Sequence, residues 1–256
     1  MVDGPLIIGV TMGDPAGIGP EIGAKLLSAS CQDQEIYPVM IGSAEALGVA
    51  LKLIGIDAHL NVLSEFDPHN LQPGAINVYD PGALNITDVV VGQLDELAGE
   101  ASMLYNRQGA ELAMTGQIHG LVTLPVTKAS TKLAGYDYPG QAEYFAKLAG
   151  NLPFTTILIY RDFRAALFTT HMPLIEACSM VNKDNLLNKI KYLHAKRLDL
   201  GLPNLRLAIA SLNPHAGESG TMGREEIDEM EPAIEEARAV GIDVDGPFPV
   251  NALISP

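Results

Sequence analysis

The sequence predicts an α/β fold built on a mostly parallel sheet. Two observations carry that expectation. Short apolar runs rich in Val, Ile and Leu alternate with longer segments of helical period, which is the pattern of βαβ units. The short runs are continuously apolar rather than alternating, which suits strands covered on both faces.

Each element has its own local signal. Residues 6–10 read as the first buried strand. Residues 20–29 read as a helix, with Pro20 in the first turn, where its missing N–H is no loss. Residues 37–41 read as the next strand, 44–53 as a helix, and 76–79 as another strand. Residues 92–115 carry Leu94, Leu97, Ala101, Leu104 and Leu112 in a broken helical pattern. Residues 121–124, 156–160, 165–169 and 205–211 read as further strands. Between them, 182–197 reads as an amphipathic helix with Leu186, Leu187, Ile190 and Leu193 on one face. Pro232 opens a late helix that Gly241 closes. There is no internal repeat, no low-complexity stretch and no Gly/Ser linker. Two lobes are expected, at residues 1–118 and 119–256, with the junction near 115–125.

Composition narrows the function. The chain has 256 residues, 16 basic and 31 acidic side chains, a net charge of −15 and no tryptophan. It is long enough to bury a core without disulfide or metal staples. The strong negative charge and the lack of a Lys/Arg cluster argue against nucleic acid as a partner. They argue equally against adsorption to anionic membranes. No apolar run approaches the roughly 18 residues of a membrane span. The N-terminus has no basic region followed by a long apolar one, so no signal peptide is expected. Cys31 and Cys178 are isolated and fit reduced thiols of a cytoplasmic protein.

Three segments are able to carry chemistry. The first is Gly13-Asp14-Pro15-Ala16-Gly17-Ile18-Gly19-Pro20-Glu21, directly after the first strand. Its glycines allow tight turning, and a helix N-terminus offers N–H groups to an anion. It lacks the G-x-G-x-x-G pattern, so no Rossmann site is assigned. The second is the pair His171 and His215, each just past an expected strand, where ligands gather in open α/β sheets. Two imidazoles there can share a divalent metal, or simply bond to backbone. The third is Thr123-Leu124-Pro125-Val126-Thr127-Lys128, which presents Lys128 at a strand end for anion binding or proton transfer. The acidic run over residues 224–231 reads as a solvated face.

Together these blocks resemble one family. The segments over residues 12–21 and 122–128, Thr170-His171-Met172-Pro173-Leu174 and Asn213-Pro214-His215-Ala216-Gly217-Glu218 occur in the order found in the 4-hydroxythreonine-4-phosphate dehydrogenases of pyridoxal phosphate synthesis. The resemblance covers essentially the whole chain. It implies two α/β/α lobes, similar to isocitrate and isopropylmalate dehydrogenases, in a homodimer. It implies that His171 and His215 are two of three histidine ligands to a divalent metal, commonly zinc, with magnesium, cobalt or manganese as substitutes. The family's third histidine lies in a Tyr-His-Asp-Gln-Gly-type segment beyond Pro256, so the resemblance implies a shortened member.

The implied reaction is NAD- or NADP-dependent oxidation of a secondary alcohol beside a carboxylate, followed by decarboxylation. The substrate is a small carboxylate: 4-hydroxythreonine-4-phosphate or a similar phosphorylated sugar acid. Lys128 is the candidate catalytic residue, and Asp14, Gly17 and Gly19 shape the cofactor side. Two departures touch the substrate. The family's Gly-His-Thr-Glu appears as Gly140-Gln141-Ala142-Glu143, and its Pro-Ala-Asp-Thr as Pro249-Val250-Asn251-Ala252. Gln141, Ala142 and Asn251 are therefore the expected substrate contacts, with altered polarity. Those losses keep two alternatives open: a dehydrogenase of an unphosphorylated, carboxylated cis-dihydrodiol, and a shortened, non-catalytic domain.

Overall fold

The computed structural model describes residues 4–31, 33, 35–82 and 84–254. Pro256, where the expectation of a shortened chain was placed, lies outside them. The chain divides into two compact units, Met1–Pro153 and Phe154–Pro256.

The first unit is an α/β layer structure. Strands β1 (Leu6–Thr11), β2 (Ile36–Ile41), β3 (Leu60–Leu63), β4 (Ile76–Tyr79) and β5 (Gly120–Thr123) form one sheet in the order β3-β4-β2-β1-β5. Every pairing in it is parallel. Parallel neighbours require crossovers, and helices supply most of them. Helix α1 (Gly19–Ser30) joins β1 to β2, and α2 (Ala44–Leu53) follows β2. Helix α3 (Glu96–Met114) leads into β5, after which come the short α4 (Lys128–Leu133) and α5 (Gln141–Leu148).

The central strands are apolar because both faces are covered. Val10, Val39, Met40, Ile41, Ile76 and Val78 are buried with Leu27 of α1, Leu47 of α2 and Tyr105 of α3. Fully burying each large side chain contributes roughly 1.5–3 kcal/mol. The helix starts are fixed by capping: Ser43 accepts the Ala46 N–H, and Asp95 accepts the Ala98 N–H at 3.0 Å.

Residues 8–11 of β1 pair with all four residues of β5, so the residues just after 118 complete a sheet whose other strands come earlier.

The second unit has its own core. Strands β6 (Ile157–Tyr160) and β7 (Phe163–Ala166) form an antiparallel hairpin. Helices α6 (Leu174–Met180) and α7 (Lys183–Ala195) follow. Strand β8 (Leu207–Ala210) pairs in parallel with β9 (Val244–Phe248), with α8 (Glu231–Ala239) between them and α9 (Val250–Ile254) after. Leu186, Leu187 and Ile190 of α7 pack with Ala233, Ile234 and Ala237 of α8 and with Val244. This is the apolar face expected for residues 182–197.

Two local expectations are corrected here. The strand placed at 165–169 runs over Phe163–Ala166, because a tight turn after Tyr160 pairs Tyr160 with Phe163. Strand β6 is also not covered on both faces: Leu158, Ile159 and Tyr160 are 55%, 66% and 69% exposed. Among the described residues, no helix is long and apolar enough to cross a membrane.

Candidate functional site

Two clusters, one in each unit, collect the residues singled out by sequence other than His171. In the first unit the cluster forms beyond the carboxyl ends of β1 and β5, where open α/β sheets hold ligands. The chain leaves β1 at Thr11 and turns through Gly13, whose φ is 70°. A Cβ on Gly13 would sit 2.2 Å from the Pro125 carbonyl oxygen, and one on Gly19 would sit 2.0 Å from the Met12 carbonyl oxygen. Both positions therefore require glycine for packing of the loop against its own backbone.

Asp14 is the brace of this loop. It is buried, and its carboxylate accepts the Ala16 N–H at 2.8 Å. Its own N–H donates to the Pro125 carbonyl at 3.0 Å, and the Gly17 N–H donates to the Asp14 carbonyl at 3.0 Å. Helix α1 then starts at Gly19 after Ile18, which gives no side-chain cap. Pro20 has no N–H, so the first turn offers an anion at most the N–H groups of Gly19 and Glu21. The same turn carries Glu21, whose Oε2 is buried without a hydrogen-bond partner.

The loop after β5 brings in Lys128 and Gln141. They line a cavity of about 270 Å³ together with Met103, Tyr136, Tyr138 and Tyr144. Lys128 donates from Nζ to the Pro139 carbonyl at 2.5 Å, which holds its stem along the cavity. Tyr144 stacks edge-on with Tyr136 and Tyr138, at centroid distances of 6.0 and 4.9 Å. Burial, helped by the neighbouring Tyr136 phenol, pushes the Tyr144 hydroxyl up to about 12. Ala142, next to Gln141, is exposed.

A buried polar chain runs behind this cavity. Thr11 Oγ1 donates to Asn106 Oδ1 at 2.9 Å, Asn106 Nδ2 donates to Gln141 Oε1 at 3.0 Å, and Gln141 Nε2 reaches the Leu124 carbonyl at 3.4 Å. Thr11 and Asn106 are fully buried. Sequence reasoning missed both. The available signal was Asn106 interrupting the buried face of α3 that runs through Ala98, Ala101, Ser102, Tyr105 and Gly109.

In the second unit the cluster follows β8. Ser211, Asn213, His215, Pro249 and Asn251 line a cavity of about 340 Å³. His215 and Asn251, far apart in sequence, thus share one cavity. His215 opens a run of five residues, 215–219, with left-handed backbone. Non-glycine residues resist that conformation by roughly 1–2 kcal/mol each, so the surroundings must hold it. Glu226 does part of this. Its carboxylate accepts the Asn213 N–H at 2.6 Å and Asn213 Nδ2 at 2.9 Å. A Cβ on Gly217 would meet Glu226 Oε2 at 2.9 Å.

Glu226 corrects the reading of the acidic run as a solvated face: it is 1% exposed. It continues inward the buried face of Met230, Ala233, Ile234 and Ala237, through a π-helical turn at Glu226–Met230. Arg224 and Asp228 behave as expected, forming an exposed ion pair at 2.7 Å. His171 is exposed with φ of 51° and does not line the cavity of His215. Among the described residues, no group of three or more His, Cys, Asp or Glu side chains is assembled to hold a metal. The residues present offer two histidines and do not complete a metal site.

The comparisons with known proteins agree with this architecture. The family described as pyridoxal phosphate biosynthetic protein PdxA matches residues 34–256. A 4-hydroxythreonine-4-phosphate dehydrogenase of Aquifex aeolicus is 35% identical over 250 residues, covering 97% of this chain and 76% of that protein. A protein of Symbiobacterium thermophilum assigned as a D-threonate 4-phosphate dehydrogenase is 35% identical over 251 residues, covering 96% of this chain and 74% of that protein. The crystal structure of the 4-hydroxythreonine-4-phosphate dehydrogenase of Klebsiella pneumoniae superimposes with a TM-score of 0.88 at 32% identity, covering 98% of this chain and 76% of that one. The fold, the ordered sequence blocks and these likenesses lead to one conclusion: the chain belongs to the PdxA family of pyridoxal phosphate biosynthetic proteins and is a dehydrogenase acting on a CH–OH group.

Proposed function

We propose that this dehydrogenase oxidises the C3 secondary alcohol, β to the carboxylate, of a 4-phosphorylated hydroxy acid, 4-hydroxythreonine-4-phosphate or threonate 4-phosphate. The alcohol loses a hydride and a proton, and the resulting 3-keto acid loses carbon dioxide. One observation carries the reading: 35% identity, over 96–97% of the chain, to relatives named for these two substrates. NAD or NADP, when bound, accepts the hydride.

The chain's own groups take the following parts. The turn over residues 14–19 faces the cofactor, with Asp14 bracing it and Gly17 and Gly19 keeping it compact. Lys128 holds an anionic group of the substrate or carries the proton from its hydroxyl. Gln141, Ala142 and Asn251 contact the substrate. His171 and His215 would hold a divalent metal, zinc before magnesium, cobalt or manganese, only with a third donor that the described residues do not supply. The protein acts in the cytoplasm as a homodimer. The exposed apolar hairpin β6–β7, with Ile159 66% exposed, supports the dimer.

The alternatives are not favoured. A terephthalate cis-dihydrodiol dehydrogenase of Burkholderia xenovorans superimposes with a TM-score of 0.64 at 24% identity, a likeness of fold alone. The non-catalytic reading is disfavoured because the relatives are named as dehydrogenases.

The test is to incubate the purified protein and zinc with each phosphorylated acid and NAD or NADP. Reduction of the nicotinamide and release of carbon dioxide are expected with one of the two acids. No reduction with either, by a folded protein, removes the proposal.

A further inference from the structure

The chain Thr11–Asn106–Gln141 has only one direction. The Leu124 carbonyl can only accept, so the Gln141 side facing it must be Nε2, which lies 3.4 Å away. Gln141 Oε1 then faces Asn106 and must receive Nδ2, at 3.0 Å. That turns Asn106 Oδ1 toward Thr11, whose hydroxyl must donate to it, at 2.9 Å. An amide is easily placed backward, but here a backbone carbonyl at one end sets every orientation.

We propose that Asn106 is a positioning residue that commits Gln141 to donate a hydrogen bond into the cavity it lines beside Lys128. The amide of Gln141 has two N–H groups. One is directed at Leu124, and its Oε1 is engaged by Asn106, so the remaining N–H is what Gln141 offers to a ligand. A donor beside an ammonium group selects an acceptor oxygen with negative charge, such as a carboxylate or phosphate oxygen of the hydroxy acid. The inference rests on the reading of Gln141 as a substrate contact. Asn106 itself touches no substrate: it is fully buried in α3 and acts through Gln141.

Asn106→Asp keeps the shape and reverses the polarity. An aspartate cannot donate to Oε1, so Gln141 must rotate or release. The expected result with the better phosphorylated acid is a KM raised roughly tenfold with kcat nearly unchanged. In a Gln141→Ala background the same change should leave KM unaltered, because the residue through which Asn106 acts is gone. Equal effects of N106D with and without Gln141 would overturn the proposal.

A second measurement needs neither substrate nor a variant of Asn106. With asparagine side chains labelled by nitrogen-15, the Asn106 amide signal is identified by its displacement in Q141A, which removes the acceptor of its Nδ2 hydrogens. Those hydrogens should exchange more slowly than those of the exposed Asn204 and should exchange faster in Q141A than in the parent. An Asn106 exchange rate unchanged in Q141A would overturn the proposal even if N106D fails to fold. If the parent protein turns over neither acid, the functional reading fails, and the exchange measurement still decides whether Asn106 holds Gln141.

Discussion

The buried carboxylate of Glu226 receives both the backbone N–H and the side-chain amide of Asn213, two residues before His215. A carboxylate hidden in the core of the second unit is thus tied to the loop that presents a candidate metal ligand. Replacing Glu226 by Ala leaves the Asn213 N–H without its partner and opens a cavity. The expected loss of stability is roughly 2–4 kcal/mol, read as a lower midpoint in thermal unfolding followed by circular dichroism. Zinc affinity should fall as well, since the backbone of residues 215–219 loses its support. An unchanged midpoint would show that the loop holds its left-handed course without Glu226.

Two glycines should respond in opposite directions. A methyl on Gly19 meets the Met12 carbonyl oxygen at 2.0 Å, whereas one on Gly48, inside α2, meets nothing within 4 Å. Gly19→Ala should destabilise by roughly 1–3 kcal/mol through overpacking. Gly48→Ala should stabilise by about 0.5–1 kcal/mol, because alanine loses less backbone freedom in a helix. Urea unfolding of both variants checks the pair.

Tyr144 should make the fold sensitive to alkali. Burial holds its hydroxyl protonated up to about 12, against an ordinary value of 10.0. Between those values the unfolded chain has released the proton while the folded one keeps it. Fewer protons on the unfolded state mean that stability falls as pH rises through this window. Tyr144→Phe should lose this component of the fall, visible in unfolding curves taken at several pH values above 9. An alkaline slope identical in the variant would assign the effect to other groups.

Metal binding tests the histidines directly. Calorimetric titration with zinc should show binding to the parent that His171→Ala and His215→Ala each weaken by tenfold or more, about 1.4 kcal/mol. Equal binding by all three proteins would remove both residues from the metal site.

Exposed apolar side chains of the β6–β7 hairpin and of α6 give a test of assembly. Leu174 and Ile175 are each 80% exposed and Ile159 is 66% exposed, which is costly for side chains left in water. The protein should sediment as a dimer, and Ile159→Lys with Ile175→Lys as a monomer. A parent that sediments as a monomer at micromolar concentration would contradict the homodimer.

The sequence by itself determined the element types wherever the local signal was strong and repeated. Helix α2 over Ala44–Leu53 and strand β4 over Ile76–Tyr79 fall where the sequence placed them, because capping by Ser43 and a short run rich in Ile, Val and Tyr are local properties. The family was legible too, since its ordered blocks survive in the chain. The short strand β9 was missed, because Val244–Phe248 contains both Gly246 and Pro247, residues that weaken a strand signal. Tertiary structure alone decided what the buried polar residues pair with. Asn106 and Glu226 fall at helical spacing on buried faces, but nothing local names their partners. Each becomes an internal support only because a distant partner, Gln141 or Asn213, arrives to satisfy it. The place of β5 was decided in the same way: its backbone hydrogen bonds are completed by β1, a strand more than 100 residues earlier.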